Sequence, residues 1–165
     1  MLPFKKILCP TDFSQPSYEA LKTASELALH FSAELILVHV VNPIEFVPIV
    51  SPSVASYVSS FFDDTRASAG KKLDTVMRER ISGEIKFRGI VMHGNPAEEI
   101  VRKAADEKAD MIVIATHGLT GWRHLIFGSV AERVVRLAPC MVLTVRAPET
   151  ESKRGYHREI KAQAS

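Results

Sequence analysis

Several common chemistries have little to work with in this 165-residue chain. There are only two cysteines, Cys9 and Cys140, each inside an apolar run, with no CxxC spacing and no cationic neighbours that would activate a thiol. A disulfide between them is allowed by count; burial as small hydrophobes is the favoured reading. The six histidines are scattered without metal-ligand spacing, so a zinc site has no support. No apolar run approaches the roughly 20 residues that a membrane helix needs. Charge of one sign is also lacking: 21 basic residues face 19 acidic ones, for a net +2. That balance argues against a nucleic-acid footprint. The chain enters a strand pattern directly after Met1-Leu2-Pro3-Phe4-Lys5-Lys6, without a signal-peptide pattern, and the cytoplasm is the expected compartment. There is no Walker Gly-Lys-Ser/Thr signature and there are no internal repeats.

What is present is an alternation of strand and helix signals over a length suited to one domain. Lys6 to Cys9 reads as a strand closed by Pro10, and Pro16-Ser17 open a helix to about Phe31, with Ala20, Leu21, Ala24, Leu27, Ala28 and Phe31 on one face. Leu35 to Val41 is a second strand, ended by Asn42-Pro43. Residues 43–53 hold Pro43, Pro48 and Pro52 among apolar residues and predict an ordered loop or lid. The pattern from about Val54 to Arg80 is helical, with Val58, Phe61, Phe62, Leu73, Val76 and Met77 inward and a more polar stretch from Asp63 to Lys72. Ile85 to Met92 reads as a third strand. Asn95 as N-cap, Pro96 at the first position and Glu98 at the capping-box position then open a helix to about Glu107.

The stretch from Asp110 to Val145 carries the strongest functional signal. Met111 to Ile114 are apolar without alternation, as in a parallel strand covered on both faces. Thr116-His117-Gly118 breaks the strand at its carboxyl end, where ligands bind in open α/β sheets. After nine residues, Gly128 leads into Ser129-Val130-Ala131-Glu132, which predicts a Ser-x-x-Glu capping box with Ser129 as N-cap. A glycine beside a helix amino terminus lets anionic oxygens approach free backbone N–H groups, and the macrodipole favours them. That helix ends by Pro139, and Met141 to Val145 form a fifth strand. The β-α-β-α-β-α-β-α-β order predicts an α/β fold with a single open, doubly wound, five-stranded parallel sheet and helices on both faces.

Ala115-Thr116-His117-Gly118, the nine-residue gap and Gly128-Ser129 resemble the universal stress protein motif, G-x2-G-x9-G-[S/T]. Pro10-Thr11-Asp12 matches that family's opening signature. The resemblance covers roughly residues 4 to 146, with Ala115 in place of the first motif glycine. It implies strand order 3-2-1-4-5, with residues 1–146 as the nucleotide-binding domain and 147–165 as a polar, flexible tail whose four basic and three acidic residues nearly balance. The family includes members that bind ATP and members that do not, separated by the integrity of the motif. The ligand implied is ATP or AMP, with Mg²⁺ or Mn²⁺ held mainly by the phosphates. The site implied comprises Pro10, Thr11, Asp12, Val40 (through its backbone, on adenine), Ala115, His117, Gly118, Gly128, Ser129, Val130 and Ala131. The family also implies a homodimer through the last strand, here Met141 to Arg146.

No catalytic set emerges. His117 lacks a paired carboxylate or serine, and any hydrolysis of ATP is expected to be slow. Arg123 and His124 are candidate outer-phosphate contacts or solvated loop residues. Trp122, Leu125, Ile126 and Phe127 are apolar enough to pack on the core or a partner subunit. An adenylating enzyme would want a Ser-Gly-Gly-x-Asp-Ser loop where Pro10-Thr11-Asp12-Phe13-Ser14 stands. A receiver domain would want an acceptor aspartate where His93-Gly94-Asn95 stands. The expected function is therefore a small stress-related regulatory protein that binds ATP, without nucleic-acid or membrane partners; the alternative is a nucleotide-free dimeric scaffold of the same fold.

Overall fold

Alternation along the strands sorts the apolar side chains into two cores, one on each face of a parallel sheet. The computed structural model describes residues 3–42, 52–116 and 128–146, and along 52–62 the backbone alone. The strands are β1 (Lys6–Pro10), β2 (Glu34–Val41), β3 (Phe87–His93), β4 (Met111–Ala115) and β5 (Met141–Val145), in the order β3-β2-β1-β4-β5 and all parallel. The helices between them are α1 (Gln15–Phe31), α2 (Pro52–Arg80), α3 (Pro96–Asp106) and α4 (Ser129–Leu137). Ile7, Cys9, Leu35, Leu37, Met111, Val113 and Ala115 face α1 and α2, while Leu8, Ile36, Val38, Ile112 and Ile114 face α3 and α4. This is the doubly wound five-stranded sheet that the sequence implies.

Several element ends differ from expectation, each for a local reason. α1 begins at Gln15 because Ser14, not the Pro16-Ser17 pair, caps it: the Ser14 hydroxyl accepts from the Ser17 N–H at 3.3 Å. α2 begins at Pro52, inside the segment expected as a loop, since proline tolerates a first helical turn where its missing N–H has no partner to lose. β3 starts at Phe87 rather than Ile85, whose N–H instead bonds the Ser82 carbonyl in the preceding turn. Asn95 caps α3 as predicted, bonding the N–H groups of Ala97 and Glu98. The Glu98 carboxylate, expected to fold back in a capping box, reaches across to Arg133 of α4 at 2.6 Å.

Two contacts fix the sheet's flanks. Gly89 lets α2 lie close on β3, because a Cβ there would stand 2.7 Å from Met77 Cε and 2.9 Å from Leu73 Cδ2. At the amino end of the sheet, Arg88 spans Glu34 and Glu107 at 2.9 and 2.5 Å, and its guanidinium holds the Glu107 carboxyl below the usual range. No helix among the described residues is long and apolar enough to cross a membrane.

Candidate functional site

The order β3-β2-β1-β4-β5 reverses direction between β1 and β4, so the carboxyl ends of these neighbours open a crevice. On the β1 side, Pro10 and Thr11 are buried and Asp12 emerges. Thr11 is committed to the scaffold. Its N–H bonds the Val38 carbonyl, its carbonyl lies 2.8 Å from His39 Nδ1, and its hydroxyl accepts from the Phe13 N–H at 3.1 Å. Because Ser17 gives its own hydroxyl hydrogen to the Ser14 carbonyl, the 2.9 Å contact between Thr11 and Ser17 has Thr11 as donor. The Thr11 hydroxyl is thus engaged within the turn and the start of α1. Asp12 Oδ1 accepts from the N–H and the hydroxyl of Ser14, at 3.0 and 2.5 Å, an Asx turn ahead of α1.

Asp12 lies on the rim of a cleft of about 760 Å³. Phe13, His39, Val40, Val41 and Asn42 complete its β-side, and Asp64, Thr65, Ser68, Ala69 and Lys72 of α2 form the opposite wall. Val40 thus lines the cleft. Burial lowers the His39 pKa, and Lys72 adds to that, while the Thr11 hydrogen bond and the Asp12 charge oppose it. The imidazole is neutral at pH 7, with its hydrogen on Nδ1, since a carbonyl can only accept.

On the β4 side, Ala115 closes the strand opposite Val145, and its side chain is 8% exposed within the core facing α1. The Thr116 N–H bonds the Val145 carbonyl at 2.9 Å, and the Gly128 N–H bonds the Thr116 carbonyl at 2.6 Å. β4, the start of α4 and the end of β5 are thereby tied at one point. Gly128, with φ −70° and ψ 152°, is the N-cap of α4, and its carbonyl accepts from the Glu132 N–H at 3.0 Å.

This corrects the predicted capping box. Ser129 is the first helical residue rather than the cap, so Glu132 stands four residues after the Gly128 cap, one position beyond the capping-box site. With glycine as the cap, the capping residue offers no side chain to the first-turn N–H groups of Ser129, Val130 and Ala131. Ser129 is exposed, whereas Ala131 is buried and Val130 packs on the same core. Glu132, Arg133 and Arg136 line a separate hollow along α4, of about 460 Å³. Among the described residues, no group of three or more His, Cys, Asp or Glu side chains could hold a metal ion. His117 and Gly118, with Trp122, Arg123, His124, Leu125, Ile126 and Phe127, lie outside the described residues.

Sequence reasoning passed over Phe13, His39 and the α2 wall. His39 is the polar interruption in the apolar run Leu35 to Val41. Asp64, Thr65, Ser68 and Lys72 recur at helical spacing within the polar stretch Asp63 to Lys72. Both signals were legible, although neither says which surface faces the residue.

Comparison with known proteins accounts for the same span. The family model described as the universal stress protein family matches residues 3–146. Universal stress protein MJ0531 of Methanocaldococcus jannaschii is 38% identical over 148 residues, which are 90% of this chain and 85% of that protein. The solved structure of MJ0577, from the same organism, superposes with a TM-score of 0.79 at 32% identity, over 89% of this chain and 99% of that one. A universal stress protein from Archaeoglobus fulgidus, solved in complex with dAMP, shares the fold at a TM-score of 0.59 and 20% identity, over 87% and 98% of the two chains.

Proposed function

The chain belongs to the universal stress protein family, and from that premise we propose that it is a small cytoplasmic, stress-related regulatory protein that binds an adenine nucleotide at the carboxyl end of its sheet. ATP is the proposed ligand, with AMP as the smaller form of the same chemistry. The nucleoside lies over Asp12 and Val40, on the loop that Pro10 and Thr11 frame. The phosphates meet Gly128 and the backbone N–H groups of Ser129, Val130 and Ala131; His117 and Gly118, outside the described residues, complete the set by the motif alone. Mg²⁺ or Mn²⁺ arrives with the nucleotide and is held mainly by its phosphates. Hydrolysis is slow or absent.

The observation that carries this reading is the glycine-capped amino end of α4, stitched to β4 through the Gly128–Thr116 bond at the sheet's reversal point. The capping glycine has no side chain to compete for those N–H groups, and the helix dipole favours an anion there. The burial of the Ala115 methyl in the core supports tolerance of alanine at the first motif position, because that methyl is turned toward α1. The dAMP complex of the Archaeoglobus relative belongs to a protein of the same fold. The test is thermal unfolding with and without millimolar ATP-Mg²⁺. A rise in midpoint is expected, and an unchanged midpoint rejects the reading.

A second reading, a nucleotide-free dimeric scaffold, draws on the edge strand. Met141 and Leu143 of β5 are 43% and 37% exposed, and an apolar edge with unpaired backbone groups favours a second copy. We place the homodimer contact along Met141 to Arg146 under either reading.

A further inference from the structure

His39 sits where a strand residue with a packing role alone would be apolar. It interrupts the run Leu35 to Val41 in β2 and is half-buried at the cleft. Its ring is used twice. Nδ1 donates to the Thr11 carbonyl at 2.8 Å, across from β2 to the exit of β1. The ring face carries Phe13, with centroids 4.3 Å apart and planes at 35°. The Lys72 ammonium lies 4.5 Å from the centroid of the Phe13 ring. Phe13 has φ +63°, a left-handed conformation that a bulky residue keeps only where its surroundings over-determine it. Asp12 is the residue between these two anchored neighbours.

We infer that His39 is a positioning residue for Asp12. By holding Thr11 through its Nδ1 hydrogen and Phe13 through its ring, it fixes the left-handed turn that sets Asp12 on the rim of the cleft. The inference rests on the nucleotide reading above, with Asp12 as the nucleoside contact. His39 touches no ligand in this account; it acts through the turn. A donor at the Nδ1 position is the chemical requirement. Asparagine meets it, with its side-chain N–H close to where Nδ1 stands, and leucine fills the volume without it.

The test compares wild type, His39→Leu, His39→Asn, Asp12→Asn and the double variant His39→Leu/Asp12→Asn. ATP-Mg²⁺ binding is measured by calorimetry, and each fold is checked by thermal unfolding. Loss of one hydrogen bond predicts that His39→Leu binds about tenfold more weakly, and His39→Asn within about threefold of wild type. In the Asp12→Asn background, His39→Leu should cost no more than about twofold, because the group it positions is already gone. Equal costs in both backgrounds, or wild-type affinity in His39→Leu, overturn the inference. Failure of wild type to bind ATP-Mg²⁺ rejects the nucleotide reading instead. The positioning role is then decided without ligand, by amide hydrogen exchange. Exchange at the Phe13 N–H should accelerate in His39→Leu and not in His39→Asn, with Leu37 unchanged in both. Unchanged exchange at Phe13 in His39→Leu overturns it.

Discussion

The Gly128 N–H donates to the Thr116 carbonyl at 2.6 Å, so the chain that leaves β4 returns to its point of departure before α4 begins. Thr116 is held in turn by the Val145 carbonyl. The amino end of α4 is therefore tied to the carboxyl ends of β4 and β5, as a preorganised anion site requires.

Replacing Gly128 with valine tests that site. The observed φ of −70° and ψ of 152° are open to any L-residue, so the fold should survive. An apolar N-cap should cost about 1 kcal/mol of stability. The midpoint shift produced by ATP-Mg²⁺ should disappear, because the valine side chain occupies the approach to the first-turn N–H groups. A Gly128→Val protein that keeps the wild-type shift would show that the phosphates bind elsewhere.

Gly89 predicts a packing conflict with a defined cure. Gly89→Val should destabilise the protein by about 1 to 3 kcal/mol in urea unfolding, since its Cβ meets Met77 and Leu73. Shortening the nearer partner, in Gly89→Val/Met77→Ala, should lose less than the two single losses added together, because the cavity and the added methyls coincide. Additive losses would place the strain somewhere other than the α2–β3 contact.

Cys9 is fully buried, and burial pushes its thiol up to about 12 from an ordinary 9.0. A raised folded pKa contributes stability that is intact below pH 9 and lost as pH rises from there toward 12, because the unfolded chain ionises first. Cys9→Ala should flatten the alkaline fall in stability over that window. In native protein at pH 8, a maleimide should modify half-buried Cys140 well before Cys9. Labelling of Cys9 at the same rate would contradict its burial.

The edge strand gives a prediction about assembly. Leu143→Lys should convert a dimer to a monomer in light scattering and leave the unfolding midpoint of the monomer nearly unchanged, since Leu143 is exposed in the single chain. A dimer that persists would assign the contact to another surface.

Much of this architecture was readable before the fold was known, for local reasons. Met111 to Ile114 announced a covered strand through uninterrupted apolarity, and Asn95-Pro96 announced a helix start through a side chain that bonds N–H groups two and three residues away. The motif residues at 115 to 118 and 128 to 129 pointed to the end of the sheet where the proposed site is. The turn at Thr11 was less legible. Its hydroxyl is engaged by Ser17 and the Phe13 N–H, contacts that no periodicity signals. The cap of α4 was misread by one residue, because Ser129 has the better capping side chain but Gly128 carries the extended backbone.

The sequence by itself determined the order and kind of the elements, since periodicity and capping act over a few residues. Strand neighbours, and hence the crevice between β1 and β4, were implied by the family resemblance and not by periodicity, because tertiary packing sets them. Tertiary structure alone decided that His39 meets Thr11, 28 positions away, that Lys72 lies over Phe13, and that the Ala115 methyl turns into the core. The physical reason is that a side chain's periodicity gives its face, while its partner is chosen by whichever distant element packs against that face.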